Sequence, residues 1–172
     1  MYKPNYYIKN IVLSALLTAL GIVIPMFMPK LQFDVFASYT LASHLPLFIA
    51  VFISPLTALI VGAGTSIGFF ITLPPVVGFR ALSHIIWAVG GAWLIQRDEK
   101  ILKSMPKTIT FGVIISVIHS ILESIVVYIM MPNFRTAGIL MLVYGLGYVA
   151  HSLVDFALAV IVYKSLKKAR LA

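Results

Sequence analysis

Residues 107–131 read KTITFGVIISVIHSILESIVVYIMM, with one lysine at the first position and an almost unbroken apolar run behind it. A helix needs roughly 20 predominantly apolar residues to cross the hydrocarbon core of a bilayer. This segment is therefore long enough and apolar enough to be a transmembrane helix. Because Pro132 follows directly, we expect the helix to end there.

Comparable apolar segments recur along the whole chain and predict a bundle of six transmembrane helices. Their ranges are 10–28, 41–53, 55–73, 76–96, 107–131 and 138–163. The second segment is too short to span a bilayer alone, so it needs shielding by its neighbours and by the 29–40 loop folding over the bundle. The sequence thus predicts one all-α membrane domain over residues 1–172.

The composition is typical of an integral membrane protein. Hydrophobic residues make up 61%, charged residues only 10%, and the mean hydropathy is +1.05. A soluble domain is about half apolar and a quarter charged. The net charge of +8 sits in clusters between the apolar segments, which is typical of membrane topology signals rather than of nucleic-acid binding. The absence of cysteine excludes disulfides, thiol catalysis and thiolate metal sites.

The distribution of basic residues predicts that both termini are cytoplasmic. With that orientation only Lys30 and Arg135 lie outside, and Arg80 lies within a span. The positive-inside rule strongly favours this arrangement over its inverse. The basic residues then placed inside are Lys3, Lys9, Arg97, Lys100, Lys103, Lys107, Lys164, Lys167, Lys168 and Arg170.

Ionisable side chains inside the predicted spans are candidates for function, because they are costly to bury in a membrane. They form three pairs with i,i+4 spacing, which places the members of each pair on one helix face. With His44 in addition, the set comprises Arg80, His84, His119, Glu123, His151 and Asp155.

The predicted depths place most of this set in the outer half of the membrane, at depths compatible with four aromatic residues, Trp87, Tyr128, Tyr144 and Tyr148. Arginine can clamp a carboxylate and aromatic faces can stack on a flat ring, so the set suits a small aromatic or heterocyclic anion. The alternative is that these side chains only join helices to one another. Asp155 is expected to be structural, because its predicted depth lies towards the cytoplasm.

A metal site and catalysis are both disfavoured by the sequence. The histidines are spread over four predicted helices and form no HxxH or HxH element, so we expect no metal ion and no other cofactor. Ser43-His44 and Ser83-His84 are adjacent in sequence, so on a helix the side chains of each pair diverge. The chain also lacks a GxxxxGK[ST] nucleotide-binding loop. A small membrane metalloenzyme and a purely structural subunit remain alternatives to a binding subunit.

Two patterns of small residues predict close helix approach. Ala15 and Ala19 form AxxxA on the first helix, and Gly64 and Gly68 form GxxxG on the third. Such patterns allow another helix to pack closely, either within the bundle or from a partner.

The chain resembles the substrate-binding (S) components of energy-coupling factor (ECF) vitamin transporters. The resemblance rests on the basic N-terminus, the segment SALLTALGIVIP with Ala15 and Ala19, the long first outer loop, the short second helix and the small-residue-rich third helix. It implies a prokaryotic plasma-membrane protein without catalysis of its own. It also implies that the two alanines dock onto a transmembrane T component, which works with two ATPase subunits.

Within that family, residues 41–55 (LASHLPLFIAVFISP) and 80–84 (RALSH) are similar to the niacin-specific, NiaX-type members. The implied substrate is a flat heteroaromatic acid or its amide, and members for pyridoxine-type vitamins or queuosine precursors are the alternatives. The predicted substrate-binding residues are His44, Arg80, His84, Trp87, His119, Glu123, Tyr144, Tyr148 and His151.

Overall fold

A computed structural model describes residues 4–32, 38–130 and 138–169, with side chains from residue 8 onward and, in the last helix, from residue 142. The helices are α1 (Pro4–Phe27), α2 (Leu45–Ile53), α3 (Pro55–Thr72), α4 (Pro75–Arg97), α5 (Lys100–Lys103), α6 (Met105–Met130) and α7 (Gly138–Lys168). A two-stranded hairpin, β1 (Lys30–Gln32) and β2 (Ser38–Thr40), joins α1 to α2.

Five helices in the described part of the chain are long and apolar enough to cross a membrane: α1, α3, α4, α6 and α7. Much of their surface is exposed and apolar, as expected for helices surrounded by lipid. The prediction of an all-α membrane protein is confirmed at this level. Helix α1 begins earlier and α7 ends later than the predicted spans.

The second predicted span is a helix of only nine residues, and it lies in the centre of the bundle. Every residue from Pro46 to Phe52 is buried. The ring of Phe48 packs against Trp87 and against Phe156, with centroid distances of 4.9 and 5.3 Å. Helix α2 therefore contacts both α4 and α7. The neighbouring helices thus shield α2 from lipid, as its short length requires.

The two small-residue patterns serve different surfaces. A Cβ atom on Gly64 would overlap Thr18, and one on Gly68 would overlap Ile22, so the GxxxG pattern brings α3 against α1 within the bundle. Ala15 and Ala19 point elsewhere and are exposed, next to exposed Leu16. The AxxxA face is therefore not used in the internal packing of the described residues.

The β hairpin closes over one end of the bundle. Leu31 pairs with Tyr39 in its antiparallel register. The Tyr39 ring lies edge-on to Tyr148, with centroids 5.5 Å apart, and its hydroxyl donates to the carbonyl oxygen of Tyr144 at 3.2 Å. Partial burial raises the pKa of the Tyr39 phenol, which keeps it a donor at neutral pH. This contact fixes the hairpin on α7, as predicted for the 29–40 loop.

Candidate functional site

A cavity of about 180 Å³ lies beneath the hairpin, between the ends of α1 and α3 and the beginning of α4. Its apolar wall includes Leu47, Phe69 and Val77. The polar wall combines hairpin residues with buried or half-buried ionisable groups from four helices or their caps. These polar lining residues are Lys30, Gln32, Ser38, Thr40, Ser43, His44, Thr65, Arg80, His84, Glu123 and His151.

Glu123 of α6 is the electrostatic centre of the site. One carboxylate oxygen accepts from Arg80 Nη2 at 3.0 Å, and the other lies 2.9 Å from His84 Nε2. All three side chains are buried, so the opposite charges of the guanidinium and the carboxylate compensate one another where their hydration is reduced. The i,i+4 spacing of Arg80 and His84 explains why both reach the same carboxylate.

Arg80 also lies over the ring of Tyr148, with its guanidinium carbon 4.9 Å from the ring centroid. Since Tyr39 of the hairpin packs against the same tyrosine, the arginine, the tyrosine and the hairpin form one layered contact at the rim of the cavity. Tyr148 thus connects Arg80 to the hairpin.

Asp155 of α7 anchors the beginning of α2 to the rest of the site. Its two oxygens accept from the backbone amides of Ala42 at 2.7 Å and His44 at 2.8 Å, and the second oxygen lies 3.1 Å from His44 Nδ1. We expected Asp155 to be structural because of its predicted depth towards the cytoplasm, but that depth does not separate it from the site, because its carboxylate contacts a histidine that lines the cavity.

This anchoring also explains an unusual backbone at Ala42. Its φ of 64° is the single positive value at a non-glycine residue in the described ranges. A residue with a Cβ atom pays about 1–2 kcal/mol for that conformation. The hydrogen bonds to the fully buried Asp155 carboxylate hold the turn in place and satisfy amides that precede α2.

The four histidine rings converge around His44. The centroid of His44 lies 4.9 Å from His84, 4.6 Å from His119 and 4.9 Å from His151. His119 is fully buried between His84 and Trp87, with centroids 4.8 and 5.8 Å away. Residues that the sequence places on separate helices are thus brought to one point by the fold.

The structure divides the predicted site residues into two groups. His44, Arg80, His84, Glu123 and His151 line the cavity. The remaining four do not line the cavity but contact the lining residues or the hairpin: Trp87, His119, Tyr144 and Tyr148.

The hairpin and Ser43 supply polar lining residues that we did not predict individually. Ser43 Oγ lies 3.2 Å from both His44 Nδ1 and His151 Nε2, which links the two rings. Lys30, the lone lysine of the first outer loop, could have indicated that the loop contributes to the site, since the loop was expected to fold over the bundle. Nothing in the local sequence marked Ser43.

The arrangement can bind a small polar molecule. Our expectation that the side chains of Ser43 and His44 diverge is wrong: the two approach to 3.2 Å, because His44 caps α2 and the pair does not lie within a helix. The site has a cation, a carboxylate, imidazole donors or acceptors and an apolar wall around one partly open cavity. Such a mixture is typical of small-molecule binding sites. Spanning helices around a buried polar cavity define the chain as a multi-pass membrane protein with a small-molecule site.

A comparison of sequences identifies the family. The chain is 37% identical, over 169 aligned residues that cover 94% of it and 76% of the relative, to the niacin transporter NiaX of Lactococcus lactis subsp. cremoris (strain MG1363). It therefore belongs to the NiaX family of niacin transporters and is a multi-pass cell-membrane protein, so the predicted resemblance is confirmed. No protein-family model matches the chain. No solved structure matches it either.

Proposed function

We propose that this protein is the substrate-binding S component of an ECF-type transporter and that its substrate is niacin. The observation that carries the proposal is the 37% identity to a niacin transporter along nearly the whole chain. The cavity supports it independently, because its polar groups suit a flat heteroaromatic acid. In this proposal the chain binds and presents the substrate, and catalyses no reaction.

The residues at the cavity fit nicotinate in chemical terms. Arg80 offers a cation for the carboxylate, while the imidazole of His151 offers a donor for the ring nitrogen. Leu47 and Phe69 offer apolar surface to the ring. The Arg80–Glu123 pair is neutral as a unit, so the acid binds by sharing the guanidinium rather than by meeting an isolated charge.

Binding is tested with the purified protein carrying Trp93→Phe, which leaves Trp87 as the single tryptophan. Trp93 is half-exposed and stacks on Arg97, away from the cavity. Titration with nicotinate is expected to change the fluorescence of Trp87 saturably, and native mass spectrometry is expected to show one bound molecule per chain. Absence of both signals with a folded protein would reject the substrate.

The same preparation separates the two other classes of function. A metalloenzyme is expected to show turnover that chelators abolish, whereas a structural subunit binds no vitamin. Pyridoxine and queuosine precursors serve as competitors in the titration. If one of them displaces nicotinate at lower concentration, the protein is an S component for that other compound.

We further propose six membrane segments, with α2 as the short sixth, and cytoplasmic termini. The different residues that line the cavity and a second groove support this arrangement. The cavity is bounded by Pro25, Leu73 and Pro74, whereas a groove that contains Gln96, Lys103 and Lys164 lies at the basic end of the bundle.

Cysteine labelling is expected to confirm this orientation, because the chain has no cysteine of its own. Lys30→Cys is expected to react with an impermeant thiol reagent added outside intact cells, and Lys103→Cys only after lysis. Arg135→Cys, in a segment outside the described residues, is expected to behave like Lys30→Cys. The opposite labelling pattern would reverse the topology.

The partners that the proposal requires are a transmembrane T component and two ATPase subunits. Ala15 and Ala19 support a docking face on α1, because both are exposed while GxxxG of α3 packs α1 from another side. Replacing both alanines with leucine is expected to abolish uptake and co-purification with the T component, because close helix approach needs small residues.

Nicotinate affinity of that double variant is expected to stay within about twofold of the wild type, since neither alanine lines the cavity. Gly64→Leu provides the contrast, because its side chain would collide with Thr18 inside the bundle. If the alanine variant loses nicotinate binding together with assembly, the alanines belong to the internal packing and the docking face is rejected.

A further inference from the structure

We propose that His44, His84, His119 and Glu123 form a binding site for one divalent transition-metal ion, with Zn²⁺ as the best match. One ligand atom from each residue, a ring nitrogen or a carboxylate oxygen, lies within 4.8 Å of the others. Imidazole nitrogen and carboxylate oxygen are ligands that Zn²⁺ accepts in tetrahedral sites. The site goes beyond vitamin binding and does not depend on it.

Two of the separations between ligand atoms are close to the edge of a tetrahedral zinc site. Glu123 Oε1 lies 2.9 Å from His84 Nε2 and 3.6 Å from His119 Nε2. Ligands at the usual zinc distance of about 2.0–2.1 Å stand about 3.3 Å apart along a tetrahedral edge. These two separations bracket that value, and all four ligand atoms lie within 4.8 Å of one another, so side-chain shifts would close the site on an ion.

His119 provides a second, independent observation. It is fully buried, and neither ring nitrogen has a hydrogen-bond partner among the described residues. The 3.6 Å separation from Glu123 is too long for a good hydrogen bond. An unsatisfied buried imidazole is costly, and coordination of an ion by one nitrogen would remove part of that cost.

Two carboxylate contacts orient the ligands in the way metal sites require. Asp155 Oδ2 lies 3.1 Å from His44 Nδ1, which leaves Nε2 of His44 for the ion. Arg80 holds the second oxygen of Glu123 at 3.0 Å, which leaves the first oxygen directed at the imidazoles. Outer contacts of this kind fix the ring and carboxylate orientation of metal ligands.

Our sequence-based expectation of no metal rested on the separation of the histidines along the chain. The fold removes that reason, because α2, α4 and α6 meet beneath the cavity. Three of the four ligands also line the cavity, so an ion held there is reached from the same space as the substrate. Its charge would add to that of Arg80 in attracting an anion.

The test uses full-length, tag-free protein without nicotinate, so its outcome is independent of the proposed vitamin specificity. Zn²⁺ binding is measured by calorimetry and elemental analysis, and Co²⁺ is added as a spectroscopic probe. We expect one ion per chain and intense visible absorption typical of four-coordinate Co²⁺. His119→Gln is expected to weaken Zn²⁺ binding by more than about 100-fold, since even outer contacts contribute about 10–100-fold.

His151→Gln is the matched comparison, because His151 lies near the same point but belongs to a different group, with His44 and Asp155. It is expected to retain the ion and the cobalt spectrum. Loss in His151→Gln but not in His119→Gln would reject the assigned ligand set. Binding by neither the wild type nor the variants would reject the metal site, and thermal melting verifies that each protein is folded. Nicotinate binding by metal-free protein would leave the proposed function intact.

Discussion

Replacing Glu123 with leucine is expected to lower the free energy of unfolding by about 3–5 kcal/mol. The substitution removes the carboxylate that faces the buried guanidinium of Arg80 at 3.0 Å and the imidazole of His84 at 2.9 Å. A buried charge that loses its opposite charge retains its full desolvation cost. The measurement is unfolding of the purified protein in detergent, followed by circular dichroism.

Two controls isolate the pair. Arg80→Met combined with Glu123→Leu is expected to recover most of the stability, because apolar replacement of both members of a buried pair is often nearly neutral. Glu99→Leu removes an exposed carboxylate that pairs with Lys103 at the surface, and no measurable loss is expected. A Glu123→Leu protein that unfolds like the wild type would contradict the buried pair.

Replacing Arg80 with alanine is expected to weaken nicotinate binding by about 2–5 kcal/mol, as for the loss of a buried charged contact. The variant loses the cation that lines the cavity and also leaves Glu123 as an uncompensated negative charge. The second effect repels a carboxylate but not an amide. Wild-type protein is therefore expected to prefer nicotinate over nicotinamide, and the variant is expected to lose that preference. Titration with both compounds measures it.

Two further variants separate the loss of the guanidinium contact from the repulsion by Glu123. Arg80→Ala with Glu123→Gln removes both charges, so any remaining loss of nicotinate affinity reports the missing guanidinium alone. Arg80→Lys is expected to recover part of the affinity, because lysine keeps the charge but not the planar fork. If Arg80→Ala binds acid and amide as the wild type does, Arg80 serves the structure of the bundle and not the anion.

The membrane class could be predicted because long apolar runs leave few alternatives. The joint position of Arg80, His84 and Glu123 was also accessible in part, since i,i+4 spacing and similar depth pointed to one region. The number of spans stays a prediction. Helix α2 is too short to be recognised as a span by length, and its place in the bundle depends on burial by neighbours.

Contacts across the chain could not be read from the sequence. Asp155 and His44 are 111 residues apart, and their meeting depends on the packing of α7 against α2. The left-handed turn at Ala42 carries no glycine or asparagine to signal it. The convergence of the histidines depends on the same packing, so spacing along the chain suggested scattered residues where the fold forms a cluster.

The placement of functions on different helices has an evolutionary consequence. The buried ionisable groups that line the cavity come from α4, α6, α7 and the start of α2, whereas the exposed alanine face lies on α1. Mutations that retune the ligand preference can therefore accumulate without altering the outward surface of α1. If the alanine face is the docking surface proposed above, selection can act on the two surfaces separately, so the ligand can change while the docking contact stays the same.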